Sequence, residues 1–413
     1  MISVVRPPWP SSLALAILLA TPVATALSRN IAFPMLVLAT ALIVLTSVQT
    51  DGLAKSWAIL KQSVWQIMTS SPVGPLAIAI ILFALVSLSW APEASRGLGA
   101  LSQTTVATLA AAVCCLLMAR QVEVPGWLVW ALPLSVILAC VLILIELHFG
   151  SPIRSALGAS AEPFRLNRAA VAVVLFLPLI LLLEGSRKRP LVTLAIVVLA
   201  VVAVFLSHSE SAKLGVFVLA ATSALSLTVK PRTLALFVGL AVLASHVFAP
   251  AIALALYKTV TPEAVASLSS VLTTHPHHFI RLEIWWAYTQ QSLNSPLFGH
   301  GLQASLWANE AYRGTDPVVV SRLAYGHPHN GSLQVWYELG FMGILLSSAL
   351  MGLFLRQILR LPEKSTRIAA ILMAGAWSVA YVSHGAWQHW WWALVGIVVI
   401  TLTASTLKAY IQP

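Results

Sequence analysis

A chain of 413 residues that is 59% hydrophobic and only 9% charged, with a mean hydropathy of +0.89, lies far outside the composition of soluble globular domains. A soluble enzyme and a nucleic-acid-binding module are both excluded, because the net charge of +11 comes from basic residues scattered over short loops, where topology and anionic membrane lipids account for it. The three cysteines, Cys114, Cys115 and Cys140, fall inside apolar runs and read as small hydrophobes.

Apolar runs long enough to cross a bilayer, about 17–25 residues each, fall at 11–27, 31–47, 75–93, 99–119, 126–147, 169–185, 190–207, 213–229, 233–257, 332–355, 366–383 and 388–407. The predicted fold is therefore all-α: a polytopic membrane protein with about twelve transmembrane helices and a long, partly helical loop after the ninth. In domain terms, residues 1–257 hold helices 1–9, residues 258–331 form a cap loop, and residues 332–413 hold helices 10–12. The first run ends in Ala24-Thr25-Ala26, a possible signal-peptide cleavage pattern, but a multispanning chain needs only a signal anchor. It is kept as a helix. Between the second and third runs, Lys55, Trp57, Lys61 and Trp65 mark an amphipathic segment lying on the membrane surface. No internal repeat is evident.

The Lys/Arg bias of the loops sets the orientation. With the N-terminus inside, fourteen of the 24 Lys and Arg residues fall on the cytoplasmic side, and four of the other ten sit in the long loop that the rule discounts. Both termini are expected to be cytoplasmic. The long segment and nearly every histidine then lie outside, which places any proton chemistry on the outer face. Trp285, Trp286, Tyr288, Phe298, Trp307 and Tyr312 give that segment enough apolar surface to fold as a cap, with a helix near 279–293.

Polar clusters border this outer face: Glu162 to Arg168, Ser207 to Lys213, Arg281 to Trp286 with Pro296 to Gly301, and Tyr325 to Gly343 preceded by Arg313 and Arg322. Several guanidinium groups at a bilayer surface suit a lipid-linked phosphate or pyrophosphate, because each is permanently charged and grips phosphate oxygens bidentately. The competing reading is that they reach to headgroups or pair with Glu162, Glu210, Glu283 and Asp316. His275-Pro-His277-His278 and His327-Pro-His329 invite a metal reading. No HExxH or CxxC pattern supports it, and His-Pro-His excludes the i, i+4 pairing of helical zinc sites. A single histidine acting as general base on an acceptor hydroxyl is the more economical assignment. Gln334 and Glu338, one and two turns into the next helix, either orient that base, bind sugar hydroxyls, or hydrogen-bond a neighbouring helix.

Here the residues resemble the O-antigen ligase family, within the superfamily that also holds O-antigen polymerases and protein O-oligosaccharyltransferases. The resemblance rests on His329-Asn330, nine residues, then Gly340-x-x-Gly343, with Arg281 opening an Arg-x-x-x-Trp segment, Pro-x-x-Gly-x-Gly at 296–301, and Asn167-Arg168 ahead of the sixth helix. One departure stands out: where many members carry Ser-Arg, this chain has Ser209-Glu210-Ser211-Ala212-Lys213. The resemblance implies transfer of a polysaccharide from undecaprenyl pyrophosphate to a sugar hydroxyl of lipid A–core. The transfer would occur at the periplasmic face of the bacterial inner membrane, with no cofactor and no metal, and with inversion at the anomeric carbon. It implies His329 as the base, Arg281 and Arg168 as pyrophosphate ligands with Arg165, Lys213 and Arg322 beside them, and His327, Asn330, Gln334 and Glu338 as substrate contacts. A polymerase or a protein-directed ligase would share this donor and motif. A transporter would instead need ionisable residues deep in broken helices, and His246 is the plain mid-helix candidate.

Overall fold

The computed structural model describes residues 9–121, 128–181, 189–260, 278–314 and 316–411. Among them there is no strand, as expected where lipid leaves backbone groups no partner but their own chain. The α-helices run α1 Trp9–Leu19, α2 Thr21–Leu27, α3 Ala32–Asp51, α4 Leu53–Ser70, α5 Val73–Ser87, α6 Ala94–Gln121, α7 Leu128–His148, α8 Pro152–Ala156, α9 Asn167–Ile180, α10 Pro190–Leu206, α11 Glu210–Thr228, α12 Pro231–Val247, α13 Ala249–Thr259, α14 His278–Ser292, α15 Ala308–Ala311, α16 Pro317–Leu323, α17 Gly331–Ile358, α18 Glu363–Ser383 and α19 His389–Ile411.

Seven helices among the described residues are long and apolar enough to cross a membrane, and three bent pairs bring the number to ten. Two shorter apolar helices, Pro190–Leu206 and His389–Ala404, fall on the remaining runs read from the sequence. The bent pairs are the instructive departures. α1 and α2 meet at 57°, and α12 and α13 at 79°, so two runs that read as continuous spans are broken, each with a proline in the first turn after the bend. α4 meets α5 at 84° and leaves Leu53, Trp57, Val64 and Trp65 exposed, the geometry of a helix lying in the membrane interface.

α9 is the axis of the bundle. Nearly every residue from Ala169 to Ile180 is buried, and α2, α7, α10, α11, α18 and α19 pack around it. It therefore reads as hydrophobic on all sides. Residues 278–323 fold against α13 and α17: Trp285, Tyr288, Ala304, Ala308, Val319 and Leu323 share one core with Ala249, Ala253, Leu333 and Tyr337.

α17 is broken at Gly340, whose backbone sits at φ 61°, ψ −158°. The groups the break would orphan are met by the Pro296–Gly301 segment. Phe341 N–H donates to the Pro296 carbonyl (2.8 Å) and Met342 N–H to Leu297 (3.1 Å), while His300 and Gly301 N–H donate to Tyr337 and Glu338 (both 2.9 Å). A Cβ at Gly299 would stand 2.3 Å from the Glu338 carbonyl carbon. The two glycine-rich motifs are thus two halves of one joint. Gly299→Ala, at φ +67° with no space, is expected to destabilise the fold by about 2–4 kcal/mol. The readout is a lowered midpoint in a detergent thermal-stability assay, and an unchanged midpoint would show that the segment does not dock as described.

Candidate active site

The site is built where α9, α11, α17 and α19 begin, α18 ends, and α14 passes. Helix N-termini carry partial positive charge and unpaired N–H groups, so this face favours anions before any side chain is considered. At its centre is the Tyr325–Asn330 loop. Pro328 bars a helix there, His329 takes a left-handed backbone at φ 51°, and Asn330 turns extended to cap α17, its Oδ1 accepting from Ser332 N–H (3.0 Å) and Leu333 N–H (3.1 Å). His329 N–H donates to His327 Nδ1 at 3.1 Å, which fixes the His327 proton on Nε2. The two imidazole rings lie 4.1 Å apart, centroid to centroid.

Burial, and then the Arg281 guanidinium, bring the His329 pKa down to about 4, against the opposing pull of the Ser383 carbonyl, which accepts from its ring. Burial and His329 take His327 to about 3. His384 goes to about 3 through burial, then Arg168, His327, His329 and Arg281. All three rings are neutral at physiological pH, the form a general base requires. Unfolded, each would take up a proton near pH 6.5. The stability they contribute is complete above that value and is lost as pH falls from about 6.5 through the folded values of about 4 and about 3. The thermal midpoint in detergent is expected to drop between pH 7.5 and pH 5. A flat profile would mean the rings are hydrated in the folded protein.

Arg281, on α14, has both His329 and Glu210 as electrostatic neighbours, so the N-terminal ends of α11, α14 and α17 meet at one place. Lys213 pairs with Glu210 at 2.9 Å, one helical turn apart. Arg168 donates Nη1 to the Arg29 carbonyl (3.1 Å) and to Asn30 Oδ1 and stacks 4.3 Å over the Trp390 ring. Trp390 meets His384 edge-on at 4.7 Å, which links Arg168 to the histidines.

Four expected substrate contacts sit differently. Arg322 is engaged by Glu283 at 2.7 Å and ties α16 to α14. Arg165 pairs with Glu162 (2.9 Å) and has Arg154 and Arg168, not Arg281, as recorded like-charged neighbours. Gln334 and Glu338 do not open onto the site; they are 3% and 0% exposed. Glu338 accepts from Ser305 Oγ (2.5 Å), Gln334 Nε2 (2.8 Å), Gln303 N–H (2.8 Å) and Trp387 Nε1 (2.6 Å). Gln334 Oε1 accepts from Ala386 N–H (2.8 Å). A carboxylate with four donors at this range is a fastener for the loops around α17, so the neighbouring-element reading of Glu338 replaces that of a sugar contact. His246 is likewise structural, bonded at 3.0 Å to Ser332 and at 2.7 Å to Ser347.

His384 and Trp390 are the residues that the sequence did not single out. His384 follows α18 in a Ser-His-Gly stretch and Trp390 opens α19, neither at a distinctive spacing, and only the packing brings them to Arg168. His384 Nε2 is buried without a hydrogen-bond partner among the described residues, consistent with a place that receives polar ligand atoms. Among the described residues, no three of His, Cys, Asp and Glu converge to hold a metal ion. His275 and His277 lie outside the described residues. A cavity of ≈ 460 Å³ lined by Pro92, Glu93, Trp307, Glu310 and Ala311 lies apart, since none of the site residues lines it.

Residues 164–347 match the family model described as O-Antigen ligase, a stretch that includes Arg165, Arg168, Lys213, Arg281, His329 and the glycine joint but not His384 or Trp390. A Rickettsia conorii protein carrying the provisional name polysaccharide ligase is 26% identical over 289 residues, covering 67% of this chain and 66% of its own. The similarly named Rickettsia felis protein is also 26% identical over 289 residues, covering 67% of each chain. The chain thus spans just under two thirds of the first of these relatives.

Proposed function

Because residues 164–347 match the O-antigen ligase family model, we propose that the chain transfers a polysaccharide from undecaprenyl pyrophosphate to a sugar hydroxyl of lipid A–core. The reaction takes place at the periplasmic face of the bacterial inner membrane, with both chain termini in the cytoplasm. The observation that carries this reading is His329, a neutral imidazole with the Arg281 guanidinium as its charged neighbour, set among helix N-termini. His329 removes the proton of the acceptor hydroxyl as its oxygen attacks the anomeric carbon. The bond from that carbon to the pyrophosphate oxygen breaks, and a single displacement inverts the configuration.

Negative charge grows on the departing pyrophosphate. Arg281 and Arg168 meet it, with Lys213 and the helix N-termini adding to the field. An anion at Arg281 also cancels the charge that depresses His329, so donor binding makes His329 a stronger base. His327 holds the His329 backbone in its left-handed turn and acts by positioning. The test is reconstitution with a carrier-linked glycan and purified lipid A–core, comparing wild type with His329→Ala. Transfer to lipid A–core by wild type alone is expected. Extension of a second carrier-linked unit in place of lipid A–core would assign a polymerase instead.

A further inference from the structure

A second basic cluster stands at the outer end of α9, beside the transfer site. The chain between α7 and α9 is folded back by Glu146, whose carboxylate accepts the backbone N–H of Ile153 (2.8 Å) and Arg154 (3.3 Å). Arg154 is 3% exposed; its Nε donates to the Ser160 carbonyl at 3.2 Å, while its Nη1 is buried with no hydrogen-bond partner. Ser160 Oγ and Arg165 Nε both donate to Glu162 Oε2, each at 2.9 Å. The charged neighbours of Arg154 are Glu146, Arg165 and Arg29, and those of Arg168 are Arg29 and Arg165. Four guanidinium groups therefore meet two carboxylates, and one carboxylate is occupied by backbone N–H groups.

Such an excess is costly without an anion, and an unpartnered guanidinium nitrogen out of water is costlier still. The surroundings indicate what kind of anion. Phe149, Leu157 and Phe164 are 67%, 64% and 52% exposed around the cluster, an apolar rim beside a fixed positive charge. Free phosphate has no use for such a rim, whereas a lipid has both a headgroup and chains.

We propose that Arg29, Arg154 and Arg165 hold the phosphate group of an anionic lipid whose chains lie along Phe149, Leu157 and Phe164, with Arg168 joining this site to the transfer site. The lipid phosphate comes from one of two sources, a bulk anionic phospholipid or a phosphorylated glycolipid acceptor. Only the second rests on the function proposed above.

The full-length protein, in nanodiscs of phosphatidylcholine doped with phosphatidylglycerol, is released into detergent, and its retained lipids are counted by native mass spectrometry. Wild type is expected to keep phosphatidylglycerol, and Arg29→Gln with Arg154→Gln to lose it about tenfold, while Arg→Lys at both positions loses less. Should the Arg154 variant not fold, Arg29→Gln alone, at an exposed position, carries the comparison. Equal retention by wild type and Arg29→Gln, or equal loss of phosphatidylcholine and phosphatidylglycerol, overturns the proposal. Displacement of phosphatidylglycerol by phosphorylated lipid A–core but not by its dephosphorylated form identifies the acceptor as the source; displacement by neither identifies bulk lipid. Retention needs no turnover, so an inactive enzyme leaves this result intact.

Discussion

His329→Ala is expected to insert and fold like the wild type and to transfer no measurable glycan. Loss of a general base alone costs typically about 10²–10⁴-fold. His327 is not placed to substitute, because its Nδ1 lone pair is held by the His329 N–H. The fold should survive because the His329 ring makes a single hydrogen bond to another element, the Ser383 carbonyl at the end of α18, and otherwise meets the neighbouring Tyr325 and His327. An alanine at φ 51° costs about 1–2 kcal/mol of backbone strain. His329→Asn removes even that objection, since asparagine accepts the left-handed region, and it should be equally inactive. Transfer at the wild-type rate by either variant would end the general-base assignment.

Arg281→Lys keeps the charge and is expected to lose about 10²-fold or more in kcat. Lysine concentrates its charge at one flexible point, whereas a guanidinium presents parallel N–H groups to two phosphate oxygens at once. Arg281 is also the group that lowers the His329 pKa after burial, and lysine preserves that influence. The variant therefore separates the two roles: a fall in kcat with the acid limb of the pH–rate profile unmoved identifies lost grip on the leaving group. Arg281→Gln should in addition move that limb upward, because the depressing charge is gone. Wild-type kinetics for Arg281→Lys would make the arginine structural.

The architecture was largely legible in the chain because burial in lipid imposes so simple a demand. Among the described residues each of the twelve apolar runs falls largely on helix, and α4 is marked as a separate, amphipathic segment by Trp57 and Trp65. The bends after α1 and α12 were hidden because hydropathy does not register a change of direction. In the site, His329, Asn330 and Arg281 stood out through polar residue types at an apolar boundary. The roles of Gln334 and Glu338 did not, since spacing along a helix puts residues on one face without saying whether that face meets ligand or protein. Arg165 and Arg322 carry the right charge, but Glu162 and Glu283 already face them. His384 and Trp390 lay in a stretch with no pattern at all, and only the packing of α18 and α19 around α9 delivers them.

The joint at Gly340 also constrains how the protein enters the membrane. Residues 331–339 make a segment too short to span, and it carries an acidic residue, Glu338, one position from its end. A single acidic residue near the middle of a helix costs about 2.5–3.5 kcal/mol during translocon insertion. Of the groups from other segments that hydrogen-bond Glu338, Gln303 N–H and Ser305 Oγ are synthesised first and Trp387 Nε1 last. α17 is therefore expected to settle in two stages, the stretch from Phe341 acting as the stop-transfer element and residues 331–339 docking afterwards. Biogenesis of the enzyme would then depend on the same contacts that hold His329 in place.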